Sequence, residues 1–241
     1  LGKDRTKMSK RHGATAVEQY RELGYLPAAI VNFLALLGWS PGGEQEIFSL
    51  PELVDQFSLA RVAKNPAVFD IDKLNWLNAH YLKKASPELV TDLAIPHLRQ
   101  AGFINDSLSA AEKNWLVRVM ATIQEYISYA AQAVEHVEIF FRDDIEFESD
   151  EAKAILREET VPQVMAGFRE KIRALDELDA GNVKAGLKSI MKELKLPGKK
   201  VYMPIRVALT GKMHGPELFN IIPLIGKERT MKRLAASLAA I

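Results

Sequence analysis

The sequence predicts a mainly α-helical protein. Apolar residues recur at helical spacing in several windows, two segments carry capping-box spacing, and glycines and prolines fall where helices end or begin. One short β element is expected near Val68. In Asn65-Pro66-Ala67-Val68-Phe69 the residue before proline is pushed out of the helical region, and Val-Phe favours extended backbone.

In chain order, a first helix over 17–23 is closed by Gly24. Pro27 suits a first helical turn, and the run 28–37 leads to Gly38; being apolar nearly all round, this helix is expected to be buried. Trp39-Ser40-Pro41-Gly42-Gly43 is a turn cluster. Ser49-Leu50-Pro51-Glu52 has capping-box spacing and opens a short helix ending near Phe57. After Asp72, Leu74, Leu77, Tyr81 and Leu82 mark one helical face, with Trp76 and His80 beside it. Ser86 opens the next helix, which Gly102 closes and Pro96 is expected to kink or break. Ser109 and Glu112 form a second capping box, followed by the stripe Leu116, Val119, Met120, Ile123, Ile127. Thr160 is expected to cap a helix whose stripe is Val161, Val164, Met165, Phe168, Ile172 and Leu175. Trp39, Trp76 and Trp115 are assigned to the core.

The 241 residues are 48% hydrophobic and 26% charged, with a net charge of +1, so no global field points to a polyanion. The local balance differs. Residues 135–159 hold ten acidic and three basic side chains, interrupted by Phe140, Phe141 and Phe147, which reads as an ordered acidic connector. Between 184 and 233 stand twelve cations against three acids. With no cysteine there are no disulfides or thiolate zinc sites, and the five histidines are too scattered for a metal cage. No apolar run reaches the roughly 18 residues of a membrane span, and the first residues are basic and polar with no hydrophobic signal region, so a cytoplasmic protein is expected. The start at Leu1 instead of Met, with a motif at the edge, predicts a fragment.

That motif is Lys7-Met8-Ser9-Lys10-Arg11-His12-Gly13. Lys7 and Lys10 can face one anion if the loop curls, and lysine ammonium groups suit phosphate oxygens. A bare K-x-x-K is more often a solvated loop, and His12 more often orders such a loop than touches phosphate. Lys184, Lys188, Lys192 and Lys195 share one side of a helix, which alone is usually a solvated face. Together with Lys199, Lys200, Arg206, Arg229, Lys232 and Arg233 they favour a phosphate backbone. For Arg206, base recognition and a surface salt bridge stand level on the residues alone. Asp143-Asp144 is read as solvated or loop-capping, since adjacent side chains point apart. No phosphate-binding glycine loop, dinucleotide fingerprint, zincin or nucleophile-elbow motif is found.

Three groups of segments carry a resemblance: Thr6-Lys7-Met8-Ser9-Lys10-Arg11-His12-Gly13; Gly24-Tyr25-Leu26-Pro27 through Gly38-Trp39, with Phe69-Asp70 and Lys73-Leu74; and Gly198-Lys199-Lys200, Met203-Pro204-Ile205-Arg206-Val207-Ala208-Leu209-Thr210-Gly211, Gly215-Pro216-Glu217-Leu218 and Leu224 to Arg229. They resemble bacterial glutamyl-tRNA synthetases, of class I; the middle of the chain, about 85–180, resembles them in pattern only. The resemblance implies a motif-loop remnant of the catalytic domain over 1–15, a stem-contact helical domain over 16–84, and two helical anticodon-binding modules over 85–146 and 147–241, together an α-helix cage. It implies an enzyme that activates L-glutamate with ATP and magnesium and transfers it to tRNA-Glu, and to tRNA-Gln in some members, acting as a monomer without zinc in this part. Lys7, Met8, Ser9 and Lys10 would bind ATP, with Lys7 and Lys10 catalytic and Lys10 foremost. Arg206, Gly215 and Leu218 would lie at the anticodon, and Lys199, Lys200 and Lys212 on the tRNA backbone. The other class I signature, His-x-Gly-His, is absent from the sequence, so this chain alone is expected to be unable to aminoacylate. Two competing expectations are a non-catalytic helical RNA-binding or protein-interaction module and a helical scaffold whose basic cluster is incidental.

Overall fold

In the computed structural model, residues 1–2, 4–9 and 16–239 are described. Thirteen α-helices and a few 3-10 turns make up the regular structure among them, with no sheet. The chain divides into two compact units, 1–135 and 136–241.

The first unit holds α1 (Val17–Glu22), α2 (Pro27–Leu36), α3 (Leu50–Gln56), α4 (Ile71–Lys84), α5 (Pro87–Gln100) and α6 (Ala110–Ile123). Both capping boxes form: the Ser49 and Ser109 backbone N–H groups donate to Glu52 and Glu112 at 2.7 and 2.8 Å, and each serine Oγ accepts from the N3 amide in return. The α6 stripe from Leu116 to Ile127 is buried throughout, as are Leu74, Leu77 and Leu82 of α4. Pro96 lies inside α5 without ending it. The helix runs to Gln100 because Val90, Ala94 and Leu98 hold its apolar face in the core on either side of the missing N–H.

α4 packs on α2 through a buried polar node. Asn32 is fully buried; its Oδ1 accepts from the Phe48 amide and the Tyr81 hydroxyl, each at 2.8 Å, and its Nδ2 donates to Glu46 O at 3.0 Å. Asn78 does the same at the other end of α2, accepting from the Leu26 amide at 2.8 Å and donating to Ser128 O. These bonds satisfy loop backbone that would otherwise be buried unpaired. Gly24, at φ +81°, sits so close to the turn at 130–132 that an added Cβ would lie 2.4 Å from the Ala130 Cβ. Neither the turn nor the contact admits a side chain there.

Three expectations are corrected in this unit. α2 is not buried all round: Ala29, Ile30, Asn32 and Phe33 face the core, while Val31 and Leu34 are exposed. No strand forms at Val68; Leu1 donates to Ala67 O at 2.8 Å and accepts from the Phe69 amide at 2.7 Å, and the one isolated bridge among the described residues joins Trp39 to Val62. Trp76 is 47% exposed, with the Lys73 ammonium 4.5 Å from its ring centre, so it is not a core residue; Trp39 is.

α7 (Ala133–Phe141) carries the chain into the second unit, which continues with α8 (Asp150–Ile155), α9 (Val161–Ala174), α10 (Ala180–Leu194), α11 (Gly198–Thr210), α12 (Leu218–Ile225) and α13 (Lys227–Ala239). Its core joins the α9 stripe to Val183, Leu187 and Ile190 of α10, Val201, Ile205 and Ala208 of α11, Leu218 and Ile222 of α12, and Leu234 of α13. Thr160 precedes α9, but its side chain makes no cap; the hydroxyl is buried without a hydrogen-bond partner.

Candidate nucleic-acid interface

α10 and α11 set out the cations of the second unit. Along α10 the apolar residues Val183, Leu187 and Ile190 turn inward, which leaves Lys184, Lys188 and Lys192 exposed. Glu193, the only acid on this helix, is held by Lys171 Nζ at 2.7 Å and the Ser189 hydroxyl at 2.6 Å; these bonds lower its pKa. The helix ends on Lys195 in the left-handed conformation, and Pro197 precedes α11. Lys199 and Lys200 then occupy the first turn of α11, where the helix dipole is already positive. Lys188, Lys192, Lys195, Lys199 and Lys200 are exposed and have no ion pair among the described residues.

Arg206 lies two turns further along α11, about 10 Å from Lys199 at 1.5 Å per residue. It is half-buried, and its Nη1 donates to Pro216 O at 2.8 Å, bracing the loop between α11 and α12. Gly215 belongs to that loop at φ +140°, and an added Cβ there would stand 3.6 Å from Arg206 Nη1. The loop is pinned at its start as well. Gly211, at φ +71°, is pressed against the chain so closely that a Cβ would lie 1.9 Å from Glu146 O. Its carbonyl accepts from the Glu148 amide at 3.0 Å, and Glu148 Oε1 accepts from the Met213 amide at 2.7 Å. Lys212 is half-buried in this loop, its amide donating to Thr210 Oγ1 at 3.1 Å.

Arg206 and Gly215 are therefore neighbours, with Lys212 on the same loop. Leu218 is only 1% exposed, its side chain in the core as the first residue of α12. The next residue, half-buried Phe219, has the Lys184 ammonium 4.6 Å from its ring centre. This pairing of an aromatic plane with a cation was not singled out from the sequence, because the partners are far apart in the chain and neither is unusual alone.

Not every cation belongs to this surface. Arg233 is 1% exposed; its guanidinium donates to Leu209 O at 2.8 Å, to Ile139 O at 2.6 Å and to Arg142 O. It thereby caps the C-terminal carbonyls of α7 and α11. Burial pulls its pKa down to about 10, still well above neutrality. Arg229 donates to Phe140 O and to Asp143 Oδ1 at 2.9 Å, and Lys232 to Asp143 Oδ2 at 2.7 Å. Asp143 is thus a solvent-exposed ion-pair anchor and not a loop cap, and these bonds hold its carboxyl below the usual range.

In the first unit, the motif segment begins as a tight turn: the Gly2 amide donates to Thr6 O, the Arg5 amide to Gly2 O, and the Thr6 hydroxyl to Asp4 at 2.8 Å. Lys7 and Ser9 are exposed and Met8 is half-buried. Lys10, Arg11, His12 and Gly13 lie outside the described residues. Among the described residues no group of three or more His, Asp or Glu is arranged to hold a metal ion, and no helix is long and apolar enough to cross a membrane.

The family model described as the anticodon binding domain matches residues 75–238. The chain belongs to this family. A second family model, the catalytic domain of the class I tRNA synthetases for E and Q, matches residues 1–76. Curated family relatives include the glutamate–tRNA ligase of Desulforamulus reducens, 56% identical over 99% of this chain and 49% of that protein, and that of Heliobacterium modesticaldum, 54% identical over 100% and 49%. A crystal structure of a glutamate tRNA ligase from Elizabethkingia meningosepticum superposes with a TM-score of 0.79 at 27% identity, covering 98% of this chain and 49% of that one. The chain spans about half the length of the curated relatives it matches.

Proposed function

We propose that this chain is the tRNA-holding part of a glutamate–tRNA ligase that activates L-glutamate with ATP and transfers it to tRNA-Glu in the cytoplasm, as a monomer. The observation that carries this reading is the row of exposed lysines on α10 and α11 that have no ion pair among the described residues, in the same unit as Arg206 and within an anticodon-binding family. A helix that places two lysines at its own positive end gains nothing for its stability, whereas a phosphate there relieves both. Lys199, Lys200 and Lys212 are assigned to the tRNA backbone. Arg206, Gly215 and Leu218 are assigned to the anticodon; Leu218 shapes that site from the core, and Arg206 both holds the 211–217 loop and offers a base its guanidinium plane. We assign the motif-loop remnant to 1–15, the stem-contact domain to 16–84 and the two anticodon-binding modules to 85–146 and 147–241.

At the motif, Lys7, Met8, Ser9 and Lys10 would line the ATP phosphates, and Lys10 would hold the charge that builds as pyrophosphate leaves, an electrostatic role with no covalent step. The magnesium that accompanies ATP neutralises triphosphate charge; the described residues of this chain provide no acidic or histidine group that fits it.

The test measures binding of this chain to tRNA-Glu transcripts with altered anticodons at two salt concentrations. Cognate binding is expected to exceed the others, and Arg206→Ala to cost about 1–3 kcal/mol on the cognate transcript and less on the rest. Equal affinity for every anticodon would sink the recognition reading. In the full-length ligase, Lys10→Ala is expected to depress ATP–pyrophosphate exchange; unchanged exchange would remove its role.

A further inference from the structure

Exposed apolar side chains scattered singly are ordinary, but a contiguous patch marks a covered surface. The first unit has such a patch. On α3, Leu50 and Val54 share one face at i and i+4, Phe57 follows as the residue that ends the helix, and all three are exposed, Val54 to 76%. Leu59, 81% exposed, and Val62 continue it through the following turn. Trp39 ties the patch together from below: its ring lies 5.6 Å from that of Phe57, and its backbone bridges to Val62. On the flank of the same helix Leu53 is buried with Trp39 and Phe48, so Leu50 and Val54 are left outside that core cluster.

We infer that this face is the seam on which the rest of the catalytic domain docks within the full-length polypeptide. The patch lies inside residues 1–76, the part that matches the class I catalytic-domain family, while the relatives are about twice as long as this chain. The alternative of an RNA occupant is disfavoured by chemistry: the apolar side chains offer phosphate no donor, and Arg61, the cation between Leu59 and Val62, already donates to Pro41 O and Gln56 O. An apolar protein surface suits the patch, and the inference rests on the ligase reading for its source.

Hydrogen exchange over residues 50–62 tests it, comparing the full-length ligase with the 241-residue chain. The segment is expected to exchange on the order of tenfold more slowly in the full-length protein; equal rates overturn the inference. As a second measurement, the double substitution Val54→Asp with Leu59→Asp is expected to lower the unfolding midpoint of the full-length ligase by several degrees and leave that of the shorter chain unchanged. An unchanged full-length midpoint overturns it, as does weakened tRNA binding with protection intact, which would give the face to RNA. A dimer of the shorter chain that the double substitution dissociates would give the face to a second copy and overturn the inference too. A full-length protein that protected the segment but failed to charge tRNA-Glu would defeat the ligase reading and leave the docking seam standing.

Discussion

The cations of α13 and those of α10–α11 carry the same charge in the same unit and do opposite work. Arg229, Lys232 and Arg233 are consumed by the fold: they reach carbonyls and a carboxylate 86 to 94 residues earlier in the chain. Lys188, Lys192, Lys199 and Lys200 face outward with no ion pair among the described residues. A count of twelve cations therefore overstates the electrostatic footprint offered to a polyanion. What separates the two groups is whether main-chain oxygens of the unit, or the Asp143 carboxylate, are within reach.

That division can be broken from either side. Arg233→Met should have the largest effect, a loss of about 3 kcal/mol or more in urea unfolding of the second unit, because three carbonyls lose the donor that a buried guanidinium gives them. A stability within experimental error of the wild type would move Arg233 to the RNA-facing group. Next, the Lys199→Gln, Lys200→Gln double variant should fold normally yet bind tRNA with a log K against log salt slope shallower by about 2, roughly one per lysine. Lys232→Gln should leave that slope unchanged; if it flattened the slope equally, the partition would be wrong.

The smallest effect sharpens the comparison through pH. Hydrogen bonds from Lys232 and then Arg229 depress the Asp143 pKa, so the folded state holds the carboxylate more firmly than the unfolded chain does. Its contribution is complete above the ordinary carboxylate value near pH 4 and fades as pH falls through the lowered folded value. The stability gap between wild type and Asp143→Asn should accordingly be flat above about pH 5 and close in stronger acid. A gap that widened on acidification would show that Asp143 is not held by the two cations.

The parts of the fold that were legible in the sequence are those settled by neighbours in the chain. The stripes from Leu116 to Ile127 and from Val161 to Ile172, and the Ser49–Glu52 and Ser109–Glu112 boxes, depend only on spacings of three or four and stand as read. Long-range partners defeated the rest. Asn32 is the polar residue within the nearly all-apolar run 28–37, and no local spacing shows that it is fully buried because residues 46, 48 and 81 supply its bonds. Val31 and Leu34 read as core and are exposed, since helical periodicity says little when nearly every position is apolar. At the candidate interface, the block around Arg206 was visible as a motif, but the bond to Pro216 and the Lys184–Phe219 pair are not encoded in any local spacing.

The arginine clamp also has a consequence for the order in which the chain acquires its structure. On a ribosome, α7 emerges long before residue 233, so its terminal carbonyls meet water or chaperone first and their permanent donor last. Such a non-local closure slows folding relative to the locally capped helices of the first unit. During synthesis the first unit can be complete while the second still waits on α13.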